Sequence, residues 1–446
     1  MSAIINNSFR KYQADNFIAS FSSNSIYLAI GKNDPWAGAS AGEYIETTPS
    51  DTSIPVPIDT TVSSFLHYDD LIAIKRITSS STSHVLKRVD WTSGTVYVEY
   101  DHLQDDIIDQ DFFVFTEDFN VYKCISNNGG AASTVKPTND SIDIIETADG
   151  YRWKFMYEVQ QADVLKYVTT DWIPVKYLTA DDSTAQWNVQ QAAVDGALDH
   201  IAVTAGGAGY YSCIGTAQAG STANTIKLDA ATSSAVDDYY NNMTVYITSG
   251  AGAGELKTIT DYVGATRIAT VSTNWTTIPT ATSVFQVMPA VAIATTTGSG
   301  AVYRVSAVTA GAITKVTSVT KGTNYRDATA TISSGSGASC TLKPMISPTD
   351  GHGKDAVTEL GGAKVMLNTR LIGLDGNDFP IGDDFRKVHL IINPKVSATG
   401  NALATATTYS TSEILSNSGS IIYTEFRAPI NRAPDSTEDI KLVIEF

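Results

Sequence analysis

Asp149-Gly150-Tyr151-Arg152-Trp153-Lys154-Phe155-Met156-Tyr157-Glu158-Val159 decides how the rest of the sequence is read. The stretch opens on an Asp-Gly turn signal and runs straight into alternation. Trp153, Phe155, Tyr157 and Val159 fall on one face of a strand, with Arg152, Lys154 and Glu158 on the other. Three aromatics along one face are a heavy apolar load that a large partner surface must cover. The strand reads as architecture rather than chemistry.

Working outward, 446 residues exceed one ordinary core, and a prior of about 150 residues per domain suggests roughly three domains. Charged residues make up only 17%, below the roughly 25% typical of soluble domains. Ser, Thr, Ala, Gly and Asn fill the difference, a mix that favours strands and turns. The formal net charge of −17 argues against a nucleic-acid binder and against an anionic membrane surface. Cys124, Cys213 and Cys340 are sparse and unpaired in spacing, as expected of reduced thiols in a cytoplasmically made chain. No segment approaches a signal-peptide core or a membrane span.

Upstream of the opening strand, Phe9, Tyr12, Phe17 and Phe21 predict a short amphipathic helix over 8–21, followed by a buried strand over 25–31. Trp36, in the turn after that strand, reads either as a plug over the loop or as an anchor for a partner protein. Val62, Phe65, Leu66, Ile72 and Ala73 suggest a second helix. Asp90 to Gly94, carrying Trp91, is a turn, after which Val96, Val98 and Tyr100 are expected to alternate with Tyr97 and Glu99. Strands over 112–116 and 120–125 are expected to join around Glu117-Asp118, and Trp172-Ile173-Pro174-Val175 closes this first region.

Downstream, residues 181–345 shift to Ala, Thr, Ser, Gly and Val with few charges, and read as one or two inserted small β-domains. Within them Val203-Thr204-Ala205-Gly206-Gly207-Ala208-Gly209-Tyr210 lies on Val319-Thr320-Lys321-Gly322-Thr323-Asn324-Tyr325 with a one-residue gap. Gly209 is then matched to Asn324, the residue types that best tolerate a left-handed backbone. Tyr210, Tyr211, Tyr239, Tyr240 and Trp275 either fill small β-cores or stack on sugar rings, which would make this region a carbohydrate-binding, adhesin-like module. After Asp350-Gly351-His352-Gly353 the composition swings back. Val388, Leu390 and Ile392 share one strand face, and Ile440, Leu442, Ile444 and Phe446 another.

The expected fold is therefore mainly β with a few short helices. A multidomain sandwich- or barrel-like body is built from both chain ends, 1–180 and 346–446, around the inserted 181–345. No catalytic, cofactor or metal residues are assigned. The six histidines lack metal spacing, the acidic run from Asp101 to Asp111 lacks the glycine and glutamate of a calcium loop, and Asp375-Gly376-Asn377-Asp378 fails the same test at Phe379. No nucleophile elbow or phosphate loop is present.

Tyr27-Leu28-Ala29-Ile30-Gly31-Lys32-Asn33-Asp34-Pro35-Trp36 and the opening stretch are similar to the F-G-R-x-x-P-W and D-G-Y-x-W-x-Y-x-[FY]-E segments of the gene product 8 family of T4-type baseplate wedge subunits, and further segments resemble the same family. Phe385-Arg386-Lys387-Val388-His389-Leu390-Ile391-Ile392-Asn393-Pro394 resembles F-R-x-I-x-I-I-x-N-P. The run Ser418-Gly419-Ser420-Ile421-Ile422-Tyr423-Thr424-Glu425-Phe426-Arg427-Ala428-Pro429-Ile430 resembles S-G-x-x-I-Y-x-E-x-R-x-P-I, and the ending from Thr437 to Phe446 follows the family's alternating close.

The resemblance covers roughly 20–180 and 350–446 and leaves out 181–345, a long insertion relative to the family's type member. It implies a non-enzymatic virion component of a contractile-tail (myovirus) baseplate, made and assembled in the host cytoplasm. It also implies a homodimer packed against other wedge proteins; the charge and the lack of an apolar span add the expectation of no nucleic acid and no membrane insertion, and no cofactor is expected. The structural or interface candidates are Trp36, Trp91, Trp153, Phe155, Tyr157, Trp172, Tyr423 and Arg427.

Overall fold

The computed structural model describes residues 6–32, 71–371, 385–403, 409–410, 413–415, 418–430 and 438–446. Strand makes up 44% and helix 12%, which settles the mainly-β class. Contacts divide the chain into two compact units. One comprises Met1–Arg88, Val159–Tyr177 and Ala356–Phe446; the other comprises Val89–Glu158 and Leu178–Asp355. Composition did not suggest that residues 89–158, with the opening strand, share a unit with 178–355.

The first unit is a sandwich woven from distant parts of the sequence. Its five-stranded sheet runs in the order Tyr409–Ser410, Leu71–Ile77, Ile26–Lys32, Phe385–Ile392, Ser420–Ile430. Ile26–Lys32 sits at the centre, antiparallel to both neighbours, with Leu28 opposite Lys75 on one side and Leu390 on the other. A central strand is covered on both faces, and its apolar residues divide by parity. Ile26, Leu28 and Ile30 enter one core cluster, while Tyr27 and Ala29 enter another. Tyr27 Oη donates to the Leu403 carbonyl at 2.9 Å, so this buried phenol leaves no polar group unsatisfied.

The second sheet of this unit runs Glu438–Glu445, Lys364–Leu371, Thr82–Lys87, Trp172–Val175. Val365, Leu367 and Leu442 from it meet Leu28, Ile30, Val388 and Leu390 in one shared cluster. The helix Asn7–Ser23 closes that cluster with Ala14 and Phe21, and Asn6 caps its N-terminus by accepting from Phe9 N–H at 2.9 Å. Each fully buried Leu or Ile here contributes about 1.5–3 kcal/mol. Pro174 lies on an edge strand, where its missing N–H breaks no ladder.

The helix suggested over 62–73 is corrected at its end. Leu71–Ile77 is a strand, because its pairing with Ile26–Lys32 overrides local helix preference; residues 62–70 lie outside the described residues.

The second unit holds the opening strand. Arg152–Glu158 pairs antiparallel with Asn120–Ser126, which forms a hairpin with Phe113–Phe115. The expected alternation is corrected in one respect. Lys154 and Met156 are buried as well as Trp153, Phe155 and Tyr157, so the strand's middle is covered on both faces. Residues 95–100 also differ from expectation. They form no regular strand, and Tyr97 is buried while Val96 is 53% exposed. Tyr97 points inward because its ring packs edge-on against Trp153 at 5.7 Å and its Oη serves the Asp90–Thr92 turn.

Residues 213–288 of this unit form a six-stranded antiparallel sheet, and strands between 198 and 346 form three two-stranded pairs. A hairpin around Gly250 to Gly254 joins Thr244–Ser249 to Leu256–Val263.

Candidate functional site

The aromatic stretch is a packed core. Trp153 stacks on Tyr151 and joins Tyr97, Val114, Tyr122, Cys124, Phe155 and Val189 in one buried cluster. Tyr157 is 2% exposed, and burial holds its phenol well above the ordinary range. Asp149, at the turn that starts the strand, organises the neighbouring loop. Its Oδ2 accepts from Thr134 N–H at 2.7 Å and Val135 N–H at 2.9 Å, and its Oδ1 from Thr147 Oγ1 at 2.5 Å. Burial pushes its carboxyl up, but the hydrogen bonds from Thr147, Val135, Thr134 and Tyr151 outweigh it and leave the group below the usual carboxylate range. Gly150 has φ +83°, and a Cβ there would lie 2.8 Å from the Asn128 side chain, so the Asp-Gly turn needs its glycine.

On the strand face opposite the aromatics lies a polar group around Arg152. Arg152 Nη1 is 3.0 Å from His200 Nδ1, and its Nε and Nη2 reach Glu146 at 3.2 and 3.1 Å. Guanidinium nitrogens only donate, so Nδ1 accepts and His200 carries its proton on Nε2. Burial, reinforced by Arg152, lowers the His200 pKa to about 3, so the imidazole is neutral. Lys315 pairs with the other Glu146 oxygen. These residues, with Glu99 and Asn128, line a cleft of about 510 Å3 whose charges are largely matched within its own wall.

A second group gathers around His352, which Gly351 (φ +97°) and Gly353 (φ +85°) hold in a tight loop. Lys123 Nζ, fully buried, lies 3.1 Å from His352 Nδ1 and 3.9 Å from the Tyr100 ring centroid. Nε2 then carries the proton and faces Asp199 at 3.9 Å. Sequence spacing gave no signal for this group; only pairing and burial reveal it. Among the described residues, no group of three or more His, Cys, Asp or Glu is placed to hold a metal ion.

The other candidates scatter. Trp91 is half-buried and donates from Nε1 to Ser133 Oγ at 3.1 Å. Trp172 is half-buried on an edge strand of the first unit, with Lys364 Nζ 4.7 Å from its ring centroid. Tyr423 packs beside the sandwich core and donates to Glu425 Oε2 at 2.9 Å. Trp36, the side chain of Arg427 and the 375–378 acidic turn lie outside the described residues.

The aromatics weighed as sugar platforms are used internally. Tyr210, Tyr240 and Trp275 are at most 7% exposed, and Tyr211 and Tyr239 stack on each other at 4.5 Å. Among the described residues no helix is long and apolar enough to cross a membrane.

Comparison with known families points to a β-rich structural component of a phage tail baseplate. Residues 354–446 match the family described as Bacteriophage T4, Gp8, and this supports a T4-type baseplate wedge subunit. The matched stretch contains the strands Lys364–Leu371, Phe385–Ile392, Ser420–Ile430 and Glu438–Glu445, which lie in both sheets of the sandwich. The motifs at 27–36 and 149–158 lie outside the match. A search of curated proteins returned no match.

Proposed function

We propose that the chain holds neighbouring wedge proteins together in the baseplate of a contractile-tail (myovirus) phage, acting through protein–protein interfaces and as a homodimer. The match over 354–446 carries this reading. It is supported by the pairing of the matched strand Phe385–Ile392 with the N-terminal strand Ile26–Lys32, which makes the matched stretch part of the sandwich rather than an appendage. Arg152 and Lys315 pair with Glu146, and His352 faces Asp199, contacts within the second unit that suit scaffolding. Trp172 and Tyr423, half-buried on the sandwich, are the described candidates best placed to contribute to an interface. Interfaces of the obligate kind bury several thousand Å2 and survive dilution. Co-expression with the wedge proteins of the same phage, followed by sedimentation, tests the proposal. A dimer that enters a larger wedge intermediate supports it, and a strict monomer that joins nothing counts against it.

A further inference from the structure

The short likeness between 203–210 and 319–325 extends into a two-copy frame. The first copy consists of Leu198–Ala208, Val291–Ala294 and Ser299–Thr309; the second consists of Ala312–Thr323, Thr329–Ile332 and Ala338–Ile346. Each copy's first strand pairs with the other copy's third. The registers agree over five central residue pairs. Gly206, Ala205, Val203, Ala202 and Ile201 oppose Cys340, Thr341, Leu342, Lys343 and Pro344. Lys321, Thr320, Ser318, Thr317 and Val316 oppose Ala301, Val302, Tyr303, Arg304 and Val305 in the same spacing. Even the bulge recurs, between Thr341 and Leu342 in one pair and between Val302 and Tyr303 in the other.

The turns match as well. Gly207 and Gly322 have φ +62° and +65°, and Gly209 and Asn324 have +78° and +62°. Both following tyrosines are buried, and each hydroxyl accepts a backbone N–H from the opposing strand. Tyr210 Oη accepts from Cys340 N at 3.3 Å, and Tyr325 Oη from Ala301 N at 3.1 Å. The two short strands pair antiparallel with each other, Val291 to Ile332 and Ile293 to Ala330, which places Ala292 and Thr331 on a pseudo-two-fold axis.

The copies differ most in their crossovers. The second passes from Tyr325 to Thr329 through Arg326, Asp327 and Ala328 alone. The first passes from Tyr210 to Ala290 through residues 211–289, which contain the whole six-stranded sheet. That sheet has its own core, including Ile226, Val245, Ile247, Tyr262, Phe285 and Val287. Its first and last strands are neighbours, Cys213 opposite Val287 through Thr216 opposite Val284, so chain entry and exit lie side by side. Side-by-side termini are what an inserted domain needs in order to leave its host undistorted. Contact with the frame includes Arg304, which lies 3.9 Å over the Tyr246 ring and donates to Gln286 Oε1 at 2.8 Å.

We propose that residues 211–289 are an autonomously folding β-module inserted at the crossover of the first copy, and that the two-copy frame closes without it. The inference stands apart from the baseplate reading and survives or fails independently of it.

Hydrogen exchange on the full chain across a denaturant series, read by peptide, tests the first half. Amides of 244–263 and 284–288 should open as one block at a denaturant concentration different from those of 198–208 and 312–323. A single common transition overturns the proposal. The second half is tested by replacing 211–289 with Arg-Asp-Ala, the crossover of the second copy. The variant should be soluble, with protection in 198–208 and 338–346 within about threefold of the full chain. Loss of that protection, or an insoluble variant, shows that the frame needs the module and overturns this half.

Discussion

Trp153 stacks on Tyr151, two residues earlier on the same strand face, with ring centroids 5.3 Å apart and planes 16° from parallel. The indole is fully buried, and its Nε1 has no hydrogen-bond partner. Its contribution is therefore one of volume and stacking. Trp153→Ala should cost about 3–5 kcal/mol by opening a large cavity. Trp153→Phe should cost much less, because it also removes an unsatisfied donor. Urea denaturation of both variants checks the ordering. Equal losses would mean that the indole nitrogen has a partner.

Asp149 ties the loop at Thr134 and Val135 to the start of the strand through charge-assisted bonds. Asp149→Ala should cost about 1.5–3 kcal/mol. Since the folded carboxyl titrates below its unfolded value, its contribution is fully present above the unfolded pKa, near 4. It is lost as pH falls through the folded value. The gap between wild type and variant should narrow in acid, as followed by denaturation between pH 6 and 3.

His200 gives a second pH signature in a higher window. Its folded pKa of about 3 lies below the unfolded 6.5, so between these values the unfolded chain binds the extra proton. Stability is full above pH 6.5 and falls toward pH 3, by roughly 3–5 kcal/mol from this group alone. His200→Gln keeps an acceptor for Arg152 and should flatten the fall. Identical pH curves would contradict the neutral, buried assignment.

The correspondence of Gly209 with Asn324 predicts an asymmetric pair of substitutions. Gly209→Asn should be nearly neutral, because Asn324 already holds the same left-handed backbone and the nearest atom to an added Cβ is 3.7 Å away. Gly209→Val should cost about 1–2 kcal/mol. Thermal unfolding of the two variants decides the point.

The sequence disclosed elements where one physical signal dominated. The aromatic strand, the hairpin over 113–126 and the left-handed turns at 209 and 324 were legible from alternation and from residue types that tolerate positive φ. Residues 96–100 misled because Tyr97, not its valine neighbours, supplies a side chain long enough to reach Trp153. Period-two patterning separates Lys154 from the aromatic face but cannot say that the face it lies on is covered too, as it is here. The Lys123–His352 and Arg152–His200 contacts join residues far apart in the chain, and no local spacing could announce them. Nor could composition reveal that the six-stranded module interrupts a repeat, since module and frame share the same Thr-, Ala- and Gly-rich palette.

The central claim is that this chain is a structural subunit of a baseplate wedge. An electron-microscopy map of the tail of the phage that encodes it tests this most directly. The account predicts density in each wedge that fits the sandwich formed by Ile26–Lys32, Phe385–Ile392 and Lys364–Leu371, in contact with other wedge proteins. A complete baseplate map with no place for that sandwich would contradict it.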